Sequence, residues 1–271
     1  MSLPAPAPFT FNALDGLCFA AARGRLQPLP DHAYRLQALG PVLELARVSA
    51  SGLLPPPSRA GWLALDDVAA LSDALGQGRA IWTCRQRHIG FLRMRPAQPE
   101  DGSEAQTEET GFKLEAQRAA GAVGFPRKLA AQLVGAFEEI QGNIYDHSGA
   151  SASGLAAYRA TARRFEFAVS DGGRGVLASL QSCPDYAHLT DHGAALDLML
   201  KDGVSRYGRG TSHGNGFRDL FRGLANLNGE LRFRSGDQAV TIDGINPRSI
   251  PATTSEKVPL DGFVASVICA M

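Results

Sequence analysis

The sequence predicts an α+β protein: a C-terminal two-layer α/β sandwich, with helices on one face of a mixed sheet, preceded by a small α+β N-terminal module. Three observations carry this expectation. Residues 126–147 place Leu129, Leu133, Phe137, Ile140 and Ile144 at helical spacing, with Pro126 suited to the first turn and Ser148-Gly149 to the end. Residues 164–170 alternate Phe165, Phe167 and Val169 with more polar neighbours, as a half-buried strand does. Residues 262–269 form a short apolar run of strand length. Helices first, then strands with interleaved helices, fit a sandwich with helices on one side.

The 271 residues have room for one large domain or two ordinary ones, and 44% hydrophobic residues support a real core. Basic and acidic residues balance at 27 each, which gives no footprint for nucleic acid or for an anionic membrane. No apolar run reaches the roughly 18–20 residues that span a bilayer. The N-terminus lacks a basic n-region and carries Asp15 early, so it reads as an ordinary terminus and not as a signal peptide. Cys18, Cys84, Cys183 and Cys269 are scattered without zinc spacing, the pattern of reduced thiols in a cytoplasm.

Residues 96–111 are acidic and poor in apolar side chains, and read as a linker between a module of residues 1–95 and a domain of residues 112–271. In the first part, residues 62–75 read as a helix, and residues 80–84 and 89–94 as short strands. In the second, residues 194–200 read as a short helix and residues 216–227 as another. Residues 230–235 and 238–242 flank Gly236-Asp237, a hairpin signal.

Chemistry concentrates in three places. On an ideal helix Glu139, Asn143, Asp146 and His147 share an arc of roughly 100°, while Glu138 points elsewhere. The Asn143 amide oxygen is a hard ligand suited to Mg2+ when phosphates supply the remaining charge. Glu139, one turn earlier, can hold or deprotonate a nucleophile. The same residues also fit the plain polar face of an amphipathic helix. Next, Asp171 follows the strand directly, where a carboxylate can accept from the exocyclic amine of a purine. Gly173 and Gly175 permit tight turns and close ligand approach, as any Gly-rich turn does. Finally, residues 203–216 hold five glycines, with Gly214 and Gly216 at a helix start where backbone N–H groups suit phosphate, and with Arg206 and Arg209 nearby. A flexible surface loop has the same composition.

Gly173-x-Gly175-x-x-Ala178 mimics a dinucleotide fingerprint, but the following segment runs into Cys183-Pro184 without a full crossover helix. There is no Walker P-loop.

The order of these elements resembles the GHKL (Bergerat-fold) ATPase superfamily over residues 111–271. Residues 139–147 resemble its N-box, residues 171–175 its first glycine box, residues 210–216 its second, and residues 228–236 the hairpin that follows. The resemblance implies ATP and Mg2+ between helices and sheet under a lid at residues 203–213. Asn143 would hold the metal and Asp171 would read adenine. Asp146, His147, Gly173, Gly175, Arg209, Gly210, Gly214, Asn215 and Gly216 would line the nucleotide, and Glu139 would be the base. Two departures stand out: Gly262-Phe263 replaces a common Gly-Thr, and Gly214-Asn-Gly-Phe217 departs from the Gly-Leu patterns of the second box.

None of the six histidines lies in a phosphoacceptor context, and no transducer domain follows the last expected strand. The layout is therefore nearest to the anti-sigma-factor-type serine kinases, which are usually shorter. The expectation is a cytoplasmic ATP-binding protein of bacterial type. It would act as a kinase or ATPase on a protein partner, with a homodimer as an option. The alternative is a non-catalytic module that nucleotide merely switches.

Overall fold

The computed structural model describes residues 5–200, 229–243 and 253–271. The chain is α+β. Strands β1 (Ala7–Phe9), β2 (Tyr34–Leu36) and β3 (Leu63–Ala64) form a small parallel sheet, linked by α1 (Phe11–Ala22) and α2 (Leu39–Ala50). After α3 (Ala69–Gly76) come β4 (Ile81–Thr83) and β5 (Ile89–Arg93), then α4 (Glu104–Ala122) and α5 (Arg127–Asn143). The chain continues through β6 (Leu155–Thr161), β7 (Arg164–Asp171), α6 (Gly175–Gln181), α7 (His192–Met199), β8 (Glu230–Asp243) and β9 (Thr253–Ala270).

The main sheet has the order β4-β5-β6-β7-β9-β8, and every described pairing is antiparallel instead of mixed. Side chains alternate between its faces along every strand. Tyr158, Phe165, Phe167, Val169, Phe233, Ala265 and Val267 point to one face, where Phe112 of α4 and Leu133, Phe137 and Ile140 of α5 close an apolar core. Ala157, Ala168 and Val264 point to the other face, which α1 and α2 cover. The sheet is thus sandwiched between two helical layers, the second supplied by the N-terminal residues.

Several elements differ from the sequence reading. The expected division at residues 96–111 coincides with no edge of the sheet, because β4 and β5 from the first part pair directly with β6. The second half of that stretch is helical: the Ser103 hydroxyl accepts from Gln106 N–H at 3.1 Å and starts α4. Residues 62–75 are not one helix, since Leu63 and Ala64 pair with β2 and Asp66 turns left-handed at φ 46° before α3 begins. Gly236-Asp237 is no hairpin turn. β8 runs through it with a register shift against β9, and Gly236 (φ 61°) absorbs the irregularity. Strand β6 carried no clear signal, because its alanines have little strand propensity and only its two neighbours hold it extended.

Among the described residues no helix is long and apolar enough to cross a membrane.

Candidate functional site

The C-terminal end of α5 meets the turn after β7. Helix α5 does not stop at Asn143 but continues into one π turn, Ile144–Ser148, closed by left-handed Gly149 (φ 69°). Such widened turns recur at functional sites. Glu139 and Asn143 therefore share a true α-helical face, with Glu139 exposed and Asn143 half-buried. The ideal-helix arc does not extend to Asp146 and His147, because both lie on the wider turn; Asp146 is exposed and His147 half-buried. Glu138 points away, as expected, and pairs with Lys113 of α4 at 2.6 Å.

The π turn holds the Asp171 turn through its last residue. The Arg174 N–H donates to the Ser148 carbonyl at 2.9 Å. A side chain at Gly173 would overlap that carbonyl, so glycine is required by close backbone approach. Gly175 (φ 72°) is fixed similarly: a Cβ there would meet Ser235 Oγ at 2.7 Å. Ser235 bridges the turn to the sheet, accepting from Val176 N–H at 3.0 Å and donating to Gly262 O at 2.8 Å. The Ser153 hydroxyl accepts from Gly172 N–H at 2.8 Å. Gly262 (φ 84°) lies so close to the Asp171 carbonyl that a Cβ would overlap it, and Phe263, opposite Asp171 in β9, stacks on Phe233.

Asp171 is the electrostatic centre of this arrangement. It is 4% exposed, and its Oδ1 accepts from Gly173 N–H at 2.8 Å. Burial pushes its carboxyl up from the ordinary 3.8 to about 6, against the opposing pulls of that N–H and of the Arg47 guanidinium. Among the described residues the Gly173 N–H is the donor that the carboxylate meets.

Among the described residues no cluster of three His, Cys, Asp or Glu could hold a metal. Asn143 offers a neutral, half-buried amide oxygen of the kind that hard cations accept as a ligand. Arg206, Arg209, Gly210, Gly214, Asn215 and Gly216, the lid and the helix at residues 216–227 lie outside the described residues.

Sequence reasoning missed the residues that build the turn. Ser153 is a lone serine with no motif around it, while Ser148 read only as part of a helix end and Ser235 only as the last residue of a strand. Arg47 belongs to α2 and reaches the turn only through the tertiary fold. The chain matches no protein-family model and no curated protein.

Proposed function

We propose that the chain is a Mg-dependent ATP-binding protein of the GHKL class, acting as a serine- or histidine-type protein kinase or ATPase on a protein partner. One observation carries the reading: the Asn143 helix end and the Asp171 turn, 28 residues apart in sequence, are joined by the Arg174–Ser148 hydrogen bond into one locus. Asp171 Oδ2 would accept from the exocyclic amine of adenine, and Asn143 would hold Mg2+ with the phosphates. Glu139, on the same helical face and open to solvent, is the candidate base for an acceptor hydroxyl or water. Calorimetry with Mg-ATP and Mg-ADP tests the binding. The reading expects saturable, Mg-dependent heat that Asn143→Ala and Asp171→Asn remove, and it fails if neither substitution matters.

The second reading, a nucleotide-gated interaction module, draws support from the exposure of Glu139, which no described residue orients. Turnover that Glu139→Ala abolishes while binding persists favours the enzyme. Binding without turnover favours the switch.

A further inference from the structure

Helix α2 lies across the far face of the sheet and is tied to it at every turn. At its start, the Leu39 N–H donates to Glu166 Oε2 of β7 at 2.7 Å. One residue on, Gly40 packs so closely on Ser266 of β9 that any side chain would overlap the hydroxyl. Midway, the Glu44 carboxylate, fully buried, receives Arg232 Nε at 3.0 Å and pairs with Arg234, both on β8. At its last turn Arg47 arrives at the Asp171 turn. Its guanidinium rests on the Cα of Gly172, where an added methyl would overlap Nη2 and sit 2.9 Å from Cζ. Arg47 makes no hydrogen bond or ion pair among the described residues, and its Nε is buried without a partner. The helix thus delivers a positive charge, unpaired among the described residues, to the backbone of the turn.

Building on the proposed nucleotide site, we infer that Arg47 is a positioning residue of that site: it holds Asp171 ionised as the base acceptor, so the N-terminal residues set nucleotide affinity. Among the described residues Arg47 is the charged side chain whose field pulls the Asp171 carboxyl down, after the Gly173 N–H and against the larger push of burial. The other charges nearby are Arg174, whose guanidinium lies against Gly149, and Asp146 and His147 on the π turn. From β8 and β9 the uncharged Ser235, Gly262 and Phe263 meet the turn. A guanidinium on the neighbouring backbone favours the carboxylate, and the more so because the buried site screens little of its field. Anything that lifts α2 from the sheet would withdraw that help and weaken base recognition near neutral pH.

The test measures Mg-ADP binding by the full chain between pH 5.5 and 8.5 for wild type, Arg47→Gln and Arg47→Lys. Removing the charge moves the pH midpoint of binding upward. A shift of about one unit costs about fivefold in affinity at pH 6 and almost nothing at pH 8.5. Arg47→Lys restores the wild-type midpoint. A loss equal at all pH values, or no loss, overturns the inference. If wild type binds no Mg-ADP at any pH, the nucleotide reading fails instead, and the pair is then read from stability. Arg47→Gln must change the slope of unfolding free energy between pH 5 and 8, and Asp171→Asn must erase that difference. An unchanged slope overturns the coupling on its own.

Discussion

The two faces of the main sheet are built on different physics. Under α4 and α5 the contact is aromatic and aliphatic, with Phe137 on Phe167 at 5.0 Å between ring centroids and Phe112 on Tyr158 at 5.3 Å. Under α1 and α2 the contact is partly ionic. Arg232 Nη2 reaches Asp15 Oδ1 at 2.9 Å, its Nε reaches Glu44, and its guanidinium lies 4.5 Å over the Phe11 ring. Lys257 meets Asp15 at 2.9 Å. Farther along, Arg159 and Arg164 flank Glu166. Arg232, Arg234 and Glu44 are as buried as the aromatic residues opposite, so a polar residue on an alternating strand is no guarantee of solvent. An apolar face tolerates imperfect partners. An ionic one demands each partner in place, because a buried charge left alone costs far more than a lost contact.

This contrast can be broken from either side. Glu44→Ala takes one carboxylate from two buried guanidinia, leaving them Asp15 alone among the described carboxylates, and should cost about 3–5 kcal/mol in chemical denaturation. Phe137→Ala on the opposite face should cost a similar 3–5 kcal/mol through its cavity. The two differ in pH response. Burial alone would raise the Glu44 carboxyl, but Arg232 and Arg234 outweigh it and hold the group below its ordinary 4.5. Its stabilisation is therefore present above about pH 4.5 and lost as pH falls further. Acid should narrow the gap between wild type and Glu44→Ala and leave the Phe137→Ala gap unchanged. Equal behaviour of the two would erase the contrast.

Asp171 runs the other way. Its carboxyl is raised, so the folded state keeps a proton that the unfolded chain has released between pH 3.8 and about 6. Stability falls as pH rises through that window and stays lower above it. Asp171→Asn should then gain up to about 3 kcal/mol at pH 8, read as a higher Tm, while the site loses its acceptor. A variant that is no more stable at pH 8 than at pH 4, relative to wild type, would deny the burial cost. The smallest effect belongs to the exposed Lys113–Glu138 pair, where Glu138→Ala should change stability by less than about 1 kcal/mol.

Local patterns were legible where one periodicity ruled. Strand β7 and the apolar stripe of α5 were readable because each buries one regular face. So were β4 and β5. The π turn was not, because no side-chain spacing announces a change of winding, and Asp146 and His147 were assigned to an α-helical face that ends at Asn143. Gly236-Asp237 carries turn chemistry, yet long pairing with β9 outweighs it and the glycine becomes a bulge. The alternation of Arg232, Phe233 and Arg234 correctly signals a strand but not that α1 and α2 cover its polar side. Arg47 was out of reach for the same reason: its role depends on where α2 docks, which the sequence around it does not encode.

The central claim is that the Asp171 turn and the Asn143 helix end form one nucleotide site. The most direct measurement is calorimetric titration of the full chain with Mg-ADP at pH 8, wild type against Asp171→Asn. The account predicts saturable, Mg-dependent binding by wild type and none by a variant that is folded and more stable. Equal binding by both proteins, or none by wild type, would contradict it.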